Sequence, residues 1–166
     1  MLIPYAQHNG TWSVADEKIV ALYHELDAEG SIDLVFRDGM QASAEFLAFL
    51  KNPQQIPVLQ VLDRQVVGVA WLNQVVGNSA QTHFLLTKAC WGGHNVEMGH
   101  RVVKYWFSFP GADGPLLDVL LGNTPARLKL ATRFIKRLGF VALGTIPYLD
   151  GDGMVVSYQV NPNRSE

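Results

Sequence analysis

The residues best suited to chemistry lie around two consecutive glycines near the middle of the chain. Gly92 and Gly93 follow a strand-like stretch and precede a helix-like one. The first N–H groups of such a helix lack partners, so this loop is a natural place for an anionic phosphate. The nearby Cys90 has no base beside it, and we expect a small buried strand residue rather than a reactive thiol.

The histidines of this segment do not have the spacing of a metal site. His94 and His100 are six residues apart, which places them poorly for one helical face, and no nearby Cys or Asp completes a ligand set. We therefore expect no metal site here.

Composition limits the class of protein. The chain has 166 residues, 48% of them hydrophobic and 17% charged, with a formal net charge of -2. This predicts a single domain over residues 1–166, with no overall field for nucleic acid or an anionic membrane. One cysteine excludes an intramolecular disulfide, and no run of about 18 apolar residues or signal-like leader appears, so we expect a cytoplasmic protein.

The best-marked element is a predicted helix from Thr124 to Leu138. Thr124 is a favourable N-cap, Pro125 suits the first helical position, and Gly139 suits the left-handed residue after the last turn. The helix is amphipathic, and its apolar face predicts packing on a sheet. That face comprises Leu128, Leu130, Ala131, Phe134, Ile135 and Leu138. The opposite face carries Lys129, Arg133, Lys136 and Arg137, and is interpreted as a solvated face or as a contact for a phosphate or an acidic partner.

Four elements are predicted before residue 57. A first strand covers residues 2–6. A helix then begins with a capping box of Ser13 and Asp16 and runs to about Ala28, and Gly30 ends it. Its predicted buried face is Ile19, Leu22, Tyr23 and Leu26. The alternating stretch 32–36 predicts a strand followed by a turn at Asp38-Gly39, and residues 44–50 predict another helix.

The remaining pattern predicts a sheet with one central crossover. An antiparallel three-stranded meander begins at Pro57 and ends with a strand over 81–89. A helix over 95–108 then leads to a buried strand over 115–121, parallel to the strand before it. A hairpin of strands 141–149 and 154–160, with its turn at Asp150 to Gly153, closes the chain. The aromatic core is expected to include Trp71, Trp91, Trp106 and Phe107.

This order of elements, with a glycine-containing strand-to-helix loop and a capped helix ending in Leu-Gly-Phe, resembles the GNAT superfamily of acyl-CoA-dependent N-acyltransferases. The resemblance implies an α/β fold: a mixed, mostly antiparallel twisted sheet with a central parallel strand-helix-strand unit and helices on both faces. It also implies that the two parallel strands separate to leave a slot for the pantetheine arm of acetyl-CoA or another acyl-CoA.

The resemblance assigns the cofactor-binding residues by register. The family's loop reads Gln/Arg-x-x-Gly-x-Gly/Ala, and here it falls on His94 to Gly99, where the last glycine matches and Glu97 replaces the first. In that family the loop amides hold the pyrophosphate, and the preceding strand end pairs with pantetheine. The residues implied are Thr87, Lys88, Ala89, His94, Asn95, Val96, Gly99, His100 and Arg101.

Three side chains are candidates for the acid-base steps that acyl transfer to an amine requires. His83 can act as a general base near neutral pH, Glu97 as a base or substrate carboxylate, and Tyr148 as a proton donor to the leaving thiolate. Each has a structural interpretation as well: a core or surface histidine, an exposed first-turn glutamate, and a half-buried aromatic.

Two functions therefore stay open from the sequence. The resemblance implies an acetyltransferase that acts on a primary amine of a small molecule or protein, with a homodimer as one possible state. However, Leu128 and Ile135 replace the asparagine and tyrosine of the family's later motif. Together with Glu97, these replacements favour a catalytically inactive binding or assembly module of the same fold.

Overall fold

The computed structural model of the chain describes residues 1–36, 39–91, 94–112, 114–148 and 152–163. Asp38, Gly92-Gly93, Leu149, Asp150 and Gly151 lie outside these ranges, so the expected anion loop and parts of two expected turns do as well. Within the described residues, every helix is too short or too polar to cross a membrane.

Within its described parts the chain contains five α-helices and eleven β-strands, in the order three strands, three helices, three strands, one helix, three strands, one helix and two strands. The helices are α1 (Asp16–Ala28), α2 (Ser31–Phe36), α3 (Ser43–Lys51), α4 (His94–Phe107) and α5 (Lys129–Arg137). The longer strands are β1 (Leu2–Pro4), β4 (Ile56–Leu62), β5 (Gln65–Val76), β6 (Ser79–Leu86), β9 (Val119–Pro125), β10 (Val141–Pro147) and β11 (Gly153–Val160). The two-residue strands are β2 (Gln7–His8), β3 (Thr11–Trp12), β7 (Pro110–Gly111) and β8 (Gly114–Pro115).

The main sheet has seven strands in the order β1-β4-β5-β6-β9-β11-β10. Four neighbouring pairs of strands are antiparallel: β1–β4, β4–β5, β9–β11 and β10–β11. β6 and β9 are parallel, with Ser79 opposite Val119 and Thr82 opposite Gly122. The expected mixed sheet with a central parallel pair around a helix is confirmed.

The chain divides into two compact units. The first comprises Met1–Leu72 and Phe84–Met98, and the second comprises Asn73–His83 and Gly99–Glu166. The expectation of a single domain stays a prediction.

The first unit has a core in which helices α1 to α3 pack with strands β4 to β6. The four α1 residues expected to be buried are at most 4% exposed, and Gly30 ends the helix with a φ of 71°. Phe36 stacks on Trp71 with ring centroids 5.8 Å apart and packs edge-on against Phe46 and Phe49.

Stretch 32–36 is a helix rather than the expected strand. Ile32 is buried and Phe36 packs on the core, while Leu34 and Val35 are 44% and 39% exposed. A strand would have turned Leu34 to the same side as Ile32 and Phe36, whereas the helix turns Leu34 outward. The alternation in the sequence was therefore compatible with both structures, and packing of Phe36 selected one.

The expected capping box of α1 does not form. The helix begins at Asp16 after Ala15, which makes no side-chain cap. The Ser13 hydroxyl instead donates to the Pro4 carbonyl at 2.6 Å and accepts from the Ala6 amide at 3.3 Å. Ser13 thus ties together the N-terminal segment, because a short hydroxyl bonds whichever backbone group lies nearest.

The start of the best-marked helix was also predicted wrongly. Thr124 and Pro125 belong to strand β9, where they pair with Val155 and Met154 of β11. α5 begins only at Lys129, after Leu128, and Leu128 makes no side-chain cap. Local propensity assigned Thr124 and Pro125 to the start of the helix, but both residues pair with β11 instead. Here tertiary contacts override local propensity.

The end of that helix is as expected. Gly139 has a φ of 94°, its N–H donates to Lys136 O, and the Phe140 N–H donates to Ile135 O at 3.3 Å. These bonds form the C-cap in which a left-handed glycine satisfies the last carbonyls. Of the aromatic residues expected in the core, Trp71, Trp106 and Phe107 are at most 2% exposed, whereas Trp91 is 48% exposed.

Candidate active site

The segment that leaves β6 is a tight turn rather than the end of a strand. β6 ends at Leu86, three residues before the expected end, and Lys88–Cys90 form one turn of 3-10 helix. The Thr87 N–H donates to Val67 O at 3.0 Å, and the Lys88 N–H donates to both carboxylate oxygens of Glu29, each at 2.9 Å. The backbone N–H groups of these two residues therefore already have protein acceptors.

Cys90 is buried within the first unit and has a structural role. Its Sγ donates to Val67 O at 3.4 Å, and burial raises the pKa of the thiol to about 11. Cys90, Val67 and Met98 form a small apolar cluster, with Leu62 and Leu86 packed against it. Because Met98 lies on α4, this cluster packs the N-terminal half of α4 against the 3-10 turn. The expectation that Cys90 is buried is confirmed, although Cys90 lies in the 3-10 turn and not in a strand.

The first turn of α4 holds four residues assigned to the cofactor site or to catalysis. His94 and Glu97 are exposed, and Asn95 and Val96 are half-buried. The Val96 N–H donates to the Asn95 side-chain oxygen at 2.8 Å. Glu97 lies in the first turn of α4, where the helix dipole stabilises an acidic residue.

Gly99 is required by packing inside the second unit. A Cβ on Gly99 would lie 2.7 Å and 2.9 Å from the two methyl carbons of Leu138 and 3.0 Å from the Phe134 ring. Gly99 therefore lets α4 approach α5 closely, a role that needs no phosphate. The next two residues, His100 and Arg101, are exposed on α4.

His83 lies on β6, directly after the last residue that pairs with β9. The parallel register ends at Thr82 and Gly122, although β9 continues to Pro125. His83 is half-buried, and its Nε2 lies 3.0 Å from Oδ1 of Asn73 on β5. Burial lowers the pKa of His83 to about 4, so the imidazole is neutral at pH 7.

Tyr148 lies just after β10. Its side chain is 38% exposed, and its backbone N–H donates to Asp152 O at 2.8 Å. Asp152, just before β11, also forms an ion pair with Arg127 at 3.5 Å.

The candidate residues fall into two sets. The first unit contains Thr87, Lys88, Ala89, His94, Asn95, Val96 and Glu97. The second contains His83, Gly99, His100, Arg101 and Tyr148. No group of three His, Cys, Asp or Glu within the described parts of the chain is placed to hold a metal ion.

Two residues that contact the candidate set were not identified from sequence. Asn73 and His83 lie on either side of the Gly77-Asn78 turn, so the register of that hairpin was the signal that could have paired them. Glu29 gives no comparable signal, since it is 59 residues from Lys88 and only folding brings the two together.

Comparison of the sequence found no matching family model and no matching curated protein. The fold, in contrast, is similar to several solved acetyltransferases. A spermidine N-acetyltransferase from Vibrio cholerae, in complex with CoA and spermine, superposes with a TM-score of 0.72 at 13% identity, over 96% of this chain and 95% of that one.

Two further structures are similar to the same extent. The aminoglycoside acetyltransferase AAC(6')-Ib in complex with coenzyme A and kanamycin gives a TM-score of 0.68 at 16% identity, over 89% of this chain and 91% of that one. The microcin C7 self-immunity acetyltransferase MccE in complex with acetyl-CoA and AMP gives a TM-score of 0.69 at 12% identity, over 87% of this chain and 86% of that one. With its seven-stranded, mostly antiparallel sheet and single parallel pair, the chain has the GNAT fold.

Proposed function

We propose that the protein is an acyl-CoA-dependent N-acyltransferase that moves an acetyl or other short acyl group to a primary amine. Proteins of the same fold, matched over at least 86% of both chains, were solved with CoA or acetyl-CoA, and two of them also with an amine, spermine or kanamycin. Identities of 12% to 16% leave the particular amine open.

The single observation that carries the proposal is the early end of the parallel pairing. β6 and β9 are in register only from Ser79 to Thr82, and β9 continues beyond Gly122. A backbone strand without its neighbour presents N–H and C=O groups that an extended ligand can pair with. A pantetheine arm is such a ligand, since it carries amide groups along an extended chain.

The reaction requires one bond exchange and one proton acceptor. The amine nitrogen attacks the thioester carbonyl carbon, the new C–N bond forms, the C–S bond breaks, and the electron pair leaves with the CoA thiolate. The nitrogen becomes strongly acidic once it has attacked, so a neutral base of low pKa can take its proton. His83 is neutral at pH 7, because burial lowers its pKa to about 4, and it is our candidate for that base.

The residues around the first turn of α4 fit a CoA pyrophosphate in part. His94 is exposed and offers a donor, while Glu97 adds an unfavourable negative charge. The N–H groups of Lys88 and Val96 already donate to Glu29 and Asn95. These occupied donors are the observation that favours the second candidate function, a GNAT-fold binding or assembly module without catalysis.

Isothermal titration with acetyl-CoA and with CoA tests the proposal first. We expect saturable binding of both, and release of the CoA thiol when acetyl-CoA is mixed with spermine or kanamycin as probe amines. Folded protein, verified by circular dichroism, that gives neither heat nor thiol release would reject the enzyme and leave the binding module.

The charge on Glu97 provides a sharper version of that titration. If the pyrophosphate lies at the first turn of α4, Glu97→Gln removes a like charge and should strengthen CoA binding by roughly fivefold, on the order of 1 kcal/mol for an exposed pair. Glu17→Gln is the matched control, because Glu17 is an exposed glutamate in the first turn of α1. Equal affinities in both variants would place the pyrophosphate elsewhere.

A further inference from the structure

The two units of the chain carry opposite net charges. The first unit contains ten Asp and Glu residues against five Lys and Arg residues, a net charge of -5. The second contains five acidic and eight basic residues, a net charge of +3. The net charge of -2 for the whole chain is therefore the sum of two regions of opposite sign, and opposite charges attract one molecule to another.

The positive charge of the second unit is concentrated on one face of helix α5. Five exposed residues of this helix fall within an arc of about 120° at 3.6 residues per turn. This basic face of α5 comprises Lys129, Leu130, Arg133, Lys136 and Arg137. Within the described part of the chain, none of its four basic side chains forms an ion pair. An exposed leucine beside unpaired arginines is a composition typical of protein interfaces, where arginine is enriched.

Helices α1 and α2 of the first unit present a face of opposite charge. Asp27 and Asp33 are exposed, and neither side chain forms an ion pair with another described residue. Burial raises the pKa of Tyr23, and the charges of Asp27 and Asp33 are among those that raise it further, so both carboxylates lie near one ring. Leu34 and Val35, directly after Asp33, are exposed apolar residues. These four exposed residues form the acidic face of α1 and α2.

We propose that the basic face of α5 docks on the acidic face of α1 and α2 of a second copy of this chain, so that the protein self-associates. Arg133 and its basic neighbours then meet Asp27 and Asp33, while Leu130 is covered by apolar side chains. Because the two faces differ, the contact occurs twice in a twofold dimer or once between each pair of neighbours in a ring. This inference goes beyond acyl transfer, since association requires no acyl-CoA.

A second copy fits the basic face of α5 better than nucleic acid does. Nucleic acid offers phosphates to Lys and Arg, but it provides no apolar cover for Leu130. The net charge of -5 on the first unit also repels a polyanion. A copy of this chain supplies both the carboxylates and the apolar side chains that the face requires.

Sedimentation velocity at micromolar concentrations tests whether the chain associates. We expect the wild type to sediment as a dimer or larger assembly at about 0.01 M salt, where the Debye length is about 30 Å, and to associate about tenfold more weakly at about 1 M, where it is about 3 Å. A wild type that is monomeric at low salt would overturn the proposal. If that monomer binds duplex DNA, the basic face of α5 serves nucleic acid instead.

Charge reversal identifies the two faces. Arg133→Glu and Asp33→Lys should each weaken self-association by about tenfold or more, because each brings like charges together. An equimolar mixture of the two variants should associate as strongly as the wild type, since every contact between them again pairs opposite charges.

Lys104→Glu is the matched control for charge reversal, because Lys104 is exposed on α4 in the second unit and lies outside the basic face of α5. Circular dichroism verifies that each variant is folded. An equal loss of association in Lys104→Glu, or a mixture of the two reversed variants that stays monomeric, would overturn the assignment of the two faces.

Discussion

Helix α1 has a weak sequence signal but is well buried, whereas helix α5 has a strong sequence signal but is not buried. α1 has no side-chain cap, yet Ile19, Leu22 and Leu26 are at most 1% exposed. α5 has a sharper separation of apolar and basic faces, yet none of its residues is buried, and Leu130 is 62% exposed. Amphipathic patterning thus states which side of a helix can be buried and not how completely its neighbours cover it.

The two units also differ in how completely their side chains are buried. In the first, Phe36, Phe46, Phe49 and Trp71 form one set of ring contacts beneath helices α2 and α3. In the second, every residue of the edge strand β10 is exposed. We therefore expect mutations of similar size to have very different costs in the two units.

The largest expected effect contrasts the core of the first unit with the surface of α5. Phe46 is 0% exposed and packs on Tyr23 and Phe36 at centroid distances of 5.8 and 6.1 Å. Phe46→Ala should lower the free energy of unfolding by about 3–5 kcal/mol, because the lost contacts leave a cavity. Leu130→Ala should change it by less than about 0.5 kcal/mol. Urea denaturation measures both, and similar losses would contradict the comparison.

The second prediction concerns acid sensitivity within the second unit. The folded pKa of His83 is about 4, below its ordinary 6.5, so the unfolded chain binds a proton more readily between these values. Stability from this group is therefore complete above about pH 6.5 and is lost as the pH falls toward 4, by about 3 kcal/mol in all. His83→Gln should remove this component of the pH dependence.

The control for this measurement is His8→Gln, since His8 is exposed on β2. Unfolding free energies from urea titrations between pH 4 and 7 are compared for the wild type and both variants. An acid-induced loss that is the same in wild type and His83→Gln would show that His83 is not held neutral by burial.

The smallest expected effect tests the contact between α4 and α5. Gly99→Ala would place a Cβ within 3.0 Å of Leu138, which is 0% exposed and has little room to move. We expect a loss of about 1–2 kcal/mol from overpacking. Gly144→Ala is the matched control, because nothing lies within 4 Å of a Cβ at that position of β10. If thermal unfolding shows equal shifts, α5 does not pack on Gly99 as described.

Several features with a local sequence signal were predicted correctly. The buried face of α1, the extent of α4 and the left-handed Gly139 all follow from spacing and residue type. The start of α5 and the strand predicted at 32–36 were wrong, because β11 paired with Thr124 and the aromatic core selected a helix for Phe36. In both cases a long-range contact outweighed a local preference.

The candidate site was predictable only in part, for a similar reason. A histidine on the central strand can be seen in the sequence, but its low pKa comes from burial, and its contact with Asn73 comes from the folding of β5 against β6. Gly99 matched a phosphate-binding motif, whereas its neighbours are Leu138 and Phe134. A motif specifies only the type of residue. The packing around that residue determines whether its role is to bind a ligand or to allow close contact between helices.

The sequence by itself determined most of the order of the elements and the central parallel strand-helix-strand unit, because these depend on periodicity and turn residues spread over many positions, and that order carries the resemblance to the GNAT fold. Only the tertiary structure decided which groups the candidate residues meet: Glu29 on the Lys88 amide, Asn73 on His83, and Leu138 on Gly99. Such contacts join residues that are 10 to 59 positions apart, where no local pattern constrains the pairing.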